Sequence, residues 1–147
     1  MKRILPPILL LICIVLMSLL HIIFPFAKVI AYPLNLLGIF CALLGTSIAF
    51  IGSNKFKRVG TTEMTFNEPS ILVTNGIYKI SRNPMYLGLT TILVGVAIMF
   101  GNITSFVILV VFIVIINQWY IKYEEKVLEG KFGEEYLIYK SKVRRWI

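Results

Sequence analysis

Four nearly uncharged runs, Ile4 to Phe26, Leu34 to Gly52, Pro84 to Phe100 and Ile103 to Ile121, constrain this chain more than any other feature. Each is close to the ~20 residues that a helix needs to cross a hydrocarbon core. A segment in lipid must satisfy its backbone internally, which a lone segment can do only as a helix. With 58% hydrophobic residues and a mean hydropathy of +0.85 over 147 residues, the chain has more apolar surface than a soluble domain of this size buries. The expected fold is therefore an all-α membrane protein, with four transmembrane helices in one domain (spans 4–26, 34–52, 84–100 and 103–121). A loop over 53–82 and a tail over 122–147 complete it. Lys2 and Arg3 imitate the start of a signal peptide, but the run behind them is long and no small-x-small site follows, so a retained anchor is expected.

The net charge of +8 does not point to nucleic acid, because the basic residues are sorted by loop rather than gathered on one folded face. Of the fifteen Lys and Arg, fourteen fall on one side of a four-span layout that starts inside, and only Lys28 falls on the other. That is a strong positive-inside pattern, and it places both termini, the 53–82 loop and the tail in the cytoplasm. Cys13 and Cys41 lie within apolar runs and read as packing residues. With one histidine, His21, and no aspartate, neither a zinc site nor a Ser/His/Asp triad can be assembled from the usual parts. No metal is expected.

Between Ser81 and Gly88 a polar, basic loop turns into an apolar helix. Asn83 suits the N-cap and Pro84 the first helical position, so a helix should start there. Its positive end, beside Arg82, can hold an anion. The first two spans, joined by a short uncharged connection, should form an antiparallel pair. Gly38, Ala42, Gly45 and Ala49 recur at helical spacing in the second, a stripe that lets a neighbouring helix come close. Gly101 and Asn102 alone join the third and fourth spans, which must be a tight hairpin.

The fourth run continues past the bilayer. At 100° per residue Asn117, Gln118, Ile121, Glu124, Glu125 and Leu128 share an arc of roughly 120°. That arc faces either protein and ligand, or water. Beyond Lys131-Phe132-Gly133, Tyr136, Tyr139, Val143 and Trp146 recur every three or four residues among Lys140, Lys142, Arg144 and Arg145. This reads as an interfacial amphipathic helix, basic side to the head groups, or as a lid.

Three pieces in order resemble the integral-membrane methyltransferases that include the isoprenylcysteine carboxyl methyltransferases and phospholipid methyltransferases. They are Leu72-Val73-Thr74-Asn75-Gly76-Ile77-Tyr78 leading to Arg82-Asn83-Pro84-Met85-Tyr86, then Glu124-Glu125, then Phe132-Gly133-Glu134-Glu135-Tyr136 with Tyr139 and Val143. The resemblance covers about Ser70 onwards. It implies S-adenosylmethionine at the cytosolic mouth of the last two spans, contacted by Ser70, Ile71, Leu72, Val73, Tyr78, Asn83, Pro84, Met85, Tyr86 and Glu124. Arg82, Tyr120 and Glu125 are the implied catalytic positions. Asn83 and Tyr120 depart from the commoner isoprenylcysteine pattern, which has His and a substrate-contacting Arg there.

The chemistry of the residues agrees with that donor. Its carboxylate suits a helix start beside Arg82, its ammonium and ribose hydroxyls suit Glu124 and Glu125, and adenine suits the apolar Ile71 to Val73 with Tyr78. The expected acceptor is a lipidic or prenylated small molecule reaching the site from the bilayer. An amine or phospholipid acceptor, an NADPH-dependent membrane reductase of similar last spans, and a non-catalytic membrane scaffold are the alternatives. The soluble methyltransferase fold is excluded on size, since the polar segments together cannot build a dinucleotide-type sheet, and no Gly-x-Gly loop follows a strand.

Overall fold

The computed structural model describes residues 4–24, 28–59 and 70–147, with 57–59 by backbone alone. The expectations for Lys2, Arg3, Ala27 and the 60–69 stretch, with Glu63 and Glu68, lie outside the described residues, as do the side chains of Lys57 and Arg58. Among the described residues the architecture is all α. Helix α1 spans Pro6–Ile23, α2 Leu37–Val59 behind a 3-10 turn at Leu34–Leu36, α3 Pro84–Phe100 and α4 Ile103–Ile115. Helix α4 passes through a π-helical segment, Ile116–Ile121, into α5, Lys122–Lys142. Three of these stretches are long and apolar enough to cross a membrane: Pro6–Ile23, Leu34–Phe56 and the continuous Ile103–Lys142. Helix α3 is also apolar and has 17 residues.

Helices α1, α3 and α4 share the core. Leu10, Cys13 and Met17 meet Leu93, Ala97, Phe112 and Ile116, and all are buried. Helix α2 stands outside this trio and packs on α3, not on α1 as its short connection to α1 suggests. The reason is a matched pair of small-residue stripes. A Cβ built on Gly45 would lie 2.6 Å from the Gly88 carbonyl oxygen, and one on Gly88 would lie 2.5 Å from the Ala49 nitrogen. Helices in lipid gain from contact this close, because dispersion and weak polar contacts replace the missing hydrophobic drive. Thus α2 keeps most of its surface for lipid: 11% of its apolar stretch is buried within the protein.

The ends of the helices differ in kind. At one end Asn102, almost fully buried, bonds to His21 Nδ1 at 3.0 Å and accepts from Ser105 Oγ at 3.0 Å. His21 stacks on Phe100 at 4.9 Å, and the Gly101 carbonyl accepts from the Val29 and Ile30 amides at 2.6 and 3.0 Å. Asn35 Nδ2 donates to the Met99 carbonyl at 3.4 Å, tying the start of α2 to the end of α3. The opposite end carries the polar loop, the glutamates and the tail.

Candidate functional site

Helix α3 starts at Pro84 with Asn83 in the cap position, yet the Asn83 side chain does not cap it. Asn83 Nδ2 instead donates to the Arg145 carbonyl at 3.0 Å, while Ser81 Oγ accepts the Asn83 amide at 3.1 Å. The short polar residues of this loop therefore satisfy the tail and one another. Behind them the loop 70–83 folds back on the bundle end, where a 3-10 turn at Gly76–Lys79 buries Tyr78 against Phe56 of α2 with ring centroids 5.3 Å apart.

Around this helix start opens a cavity of about 530 Å³, within the ~300–1,000 Å³ range of small-molecule sites. Its polar end holds Arg82, Asn83, Glu124 and Glu125, and its walls carry Ile71, Leu72, Val73, Tyr78, Met85 and Tyr86. Of the thirteen residues named from the sequence, these ten line it. The other three do not. Ser70 is exposed, Pro84 is buried behind the wall, and the Tyr120 hydroxyl donates to the Ile4 carbonyl at 2.6 Å. Tyr120 faces Tyr86 ring to ring at 6.4 Å, one shell out from the cavity.

The polar end is a connected network. Tyr86 OH donates to Glu124 Oε1 at 2.6 Å, the short distance of a charge-assisted bond. Glu125 takes two guanidiniums: Arg82 Nη1 at 3.1 Å, and Arg145 in a fork, Nε to Oε1 at 3.0 Å and Nη2 to Oε2 at 2.7 Å. Arg82 Nη1 also donates to Tyr136 OH at 3.0 Å. Among the described residues Arg82 Nε is buried and has no hydrogen-bond partner, which is costly unless a ligand supplies one. The two guanidiniums and the carboxylates of Glu124 and Glu125 balance in formal charge at this end.

Aromatic residues of α5 close the site. Tyr139 OH donates to the Tyr78 carbonyl at 2.6 Å, and Tyr136 is almost fully buried. Burial pushes both phenols above their ordinary range, with Arg82 pulling the other way. Helix α5 runs on to Lys142 across a kink at Gly133, whose φ of 50° lies in the left-handed region that favours glycine. Tyr136 and Tyr139 were legible as an inward aromatic side. Arg145 was not: a helical pattern carried through Val143 and Trp146 sets it on the head-group side, but the chain leaves the helix at Val143 and the side chain turns inward.

From the cavity's polar end an apolar arm runs along α2 and α3, lined by Thr46, Ala49 and Phe50 on one helix and Leu89 and Ile92 on the other. Leu5, Pro6 and Pro7 at the start of α1 line the cavity as well. Apart from Ala49, a member of the small-residue stripe, nothing in the sequence distinguishes these from lipid-facing residues until the helix pairing is known.

A family profile described as Phospholipid methyltransferase matches residues 34–135. The chain belongs to the phospholipid methyltransferase family. It is 31% identical over 132 residues to the Protein-S-isoprenylcysteine O-methyltransferase of Saccharomyces cerevisiae, covering 82% of this chain and 53% of the yeast protein. With the Protein-S-isoprenylcysteine O-methyltransferase A of Arabidopsis thaliana it shares 35% over 84 residues, 55% of this chain and 41% of the plant protein. An uncharacterized protein of Haemophilus influenzae is 48% identical over 63 residues, 43% of this chain and 100% of that protein. The chain thus spans about half the length of the two named methyltransferases it matches. No solved structure matches it at a significant level. Membership, together with three helices fit to cross a membrane, makes this an integral membrane protein of a methyltransferase family.

Proposed function

We propose that the chain is an S-adenosylmethionine-dependent methyltransferase whose acceptor is a lipidic or prenylated small molecule. The observation that carries this reading is the cavity's division into a charged end at Arg82 and Glu124 and an apolar arm running into the membrane-depth part of α2 and α3. A zwitterionic donor fits the first part and a hydrocarbon tail the second. The orphaned Arg82 Nε suits the donor's carboxylate, and the Glu124 carboxylate suits its ammonium or ribose hydroxyls. Ile71 to Val73 and Tyr78 offer a slot for the adenine, and Asn83 to Tyr86 complete the binding wall.

When bound, S-adenosylmethionine supplies an electrophilic methyl group on a sulfonium. The protein's part is to align the acceptor and keep water out, a contribution of proximity that needs no covalent intermediate. Tyr136 and Tyr139 cover the site from the tail side, while the α2 and α3 walls hold the acceptor's apolar portion. Both oxygens of Glu125 are engaged by guanidiniums, which suits it to organising charge more than to removing a proton. An acceptor carboxylate, which needs no base, fits this arrangement better than an ammonium. We place the sites of Arg82 and Glu124 at the cytosolic face, on the same side as the basic loops, with four spans and both termini inside. Similarity to the yeast and plant O-methyltransferases supports the carboxylate reading, and membership of the phospholipid methyltransferase family supports the phospholipid or amine alternative.

Calorimetry with S-adenosylhomocysteine on the detergent-solubilised protein tests the donor, with saturable binding expected for wild type and weaker binding for Glu124→Ala. Labelled methyl transfer to lipid extracts tests the acceptor. Alkali-labile label reports a methyl ester and alkali-stable label an N-methyl product. The absence of both binding and transfer would refute the proposal.

A further inference from the structure

The tail beyond α5 is a strap across the start of α3. The Arg82 amide donates to the Arg144 carbonyl at 3.1 Å, and Asn83 Nδ2 donates to the Arg145 carbonyl at 3.0 Å. Trp146 packs against the core beside it. From this strap the Arg145 side chain reaches back into the bundle. Its fork holds both oxygens of Glu125, and its remaining nitrogen, Nη1, donates to Asn117 Oδ1 in the π-helical segment at 3.0 Å. One residue thus joins the α3 start, through its carbonyl, to the π segment and α5, through its side chain.

Glu125 has a second suitor in Arg82, which shares its Oε1. A carboxylate prefers to pair with guanidinium through two parallel bonds. Without Arg145, Glu125 is free to turn onto the Nε–Nη2 edge of Arg82, the same edge that Arg145 uses, and Nε would then be spent. With Arg145 in place Oε2 is already occupied, so Arg82 reaches Glu125 with Nη1 alone and keeps Nε unspent.

We infer that Arg145 is a positioning residue: by claiming Glu125 in a fork, it holds Arg82 with a free buried donor, ready for the carboxylate of a ligand in the cavity. Arg145 itself touches no ligand in this scheme. The inference rests on the proposed methyl-donor site and deepens it, since it assigns the carboxylate end of the donor to Arg82 Nε.

The test measures S-adenosylhomocysteine affinity by calorimetry on full-length protein in detergent, for wild type, Arg145→Met, Glu125→Gln and the double variant. Arg145→Met should bind on the order of tenfold more weakly, and the double variant no more weakly than the worse single one, because coupled residues do not add. In turnover the KM for S-adenosylmethionine should rise while kcat changes little. Arg145→Lys keeps the charge and loses the fork, so it should give a smaller loss, and it serves if the Met variant does not fold. Wild-type affinity in both Arg145 variants would overturn the inference alone, as would losses that multiply in the double variant. Absence of binding by wild type would overturn the donor reading and the inference with it.

Discussion

Substituting Gly88 with alanine tests whether close contact between α2 and α3 builds the cavity wall. A Cβ at position 88 would sit 2.5 Å from the Ala49 nitrogen, 2.7 Å from the Ala49 Cβ and 2.7 Å from the Gly45 carbonyl oxygen. Ordinary van der Waals contact begins near 3.4 Å, so the two helices must part by up to about 1 Å where backbone meets backbone. No side chain there can rotate away. Overpacking of this kind costs about 1–3 kcal/mol, a fall in thermal midpoint of roughly 2–12 °C for a chain of this size. Helix α3 is held in the core by Leu93 and Ala97, so α2 is the element that yields, carrying Thr46, Ala49 and Phe50 away from the cavity. The expected result is a lower midpoint together with weaker S-adenosylhomocysteine binding. The matched control is Gly130→Ala in α5, where an added Cβ meets nothing within 4 Å. There the better helix propensity of alanine should stabilise by about 0.5–1 kcal/mol. The assay is thermal unfolding in detergent followed by circular dichroism, alongside calorimetry. If Gly88→Ala matches wild type in both midpoint and affinity, the contact does not set the wall and the reasoning fails.

Three further outcomes are expected. Tyr86→Phe removes the 2.6 Å bond to Glu124 and should lower stability by about 1.5–3 kcal/mol, read as a shift in denaturant midpoint. Asn102→Ala leaves His21 and Ser105 without their partner at the far end and should cost about 1–3 kcal/mol, yet S-adenosylhomocysteine affinity should hold, because the cavity is at the opposite end. The Tyr139 phenol is raised by burial above its ordinary value of 10.0. Its stabilisation is therefore whole below pH 10 and is lost as pH rises from there towards the folded-state value. Unfolding followed from pH 8 to 11 should show a smaller alkaline loss in Tyr139→Phe than in wild type, and equal losses would contradict the burial argument.

The helix starting at Pro84 was readable because Asn-Pro is a local signal, decided by one ring and one missing donor. The spans were readable because lack of charge over ~20 residues has few other uses. Partner choice was harder. The stripe Gly38, Ala42, Gly45 and Ala49 announces a close neighbour without naming it, and the matching glycines, 88 and 95, lie 39 to 57 positions further on. The expectation for Tyr120 rests on the family resemblance, which sets it one helical turn before the glutamates of a helix of constant pitch. The π-helical segment Ile116–Ile121 bonds i to i+5 and turns less per residue, so constant pitch fails there and Tyr120 comes out against Ile4. Arg145 was hidden for a different reason, because its partners Glu125 and Asn117 lie 20 and 28 positions away and no spacing rule links an extended tail to them.

The Asn102 knot at the far end gives the molecule the mechanics of tongs. His21, Ser105, Gly101 and the backbone at Val29 and Ile30 fasten three helices there, and Asn35 fastens the fourth. The cavity lies at the tips. Helix α1, with 18 residues, is about 27 Å long, so tilting it by one degree about the knot moves its cavity end by only about half an ångström. A splay of α1 that widened the mouth would break the Tyr120 bond to the Ile4 carbonyl at the tip and leave the buried contacts near the pivot in place.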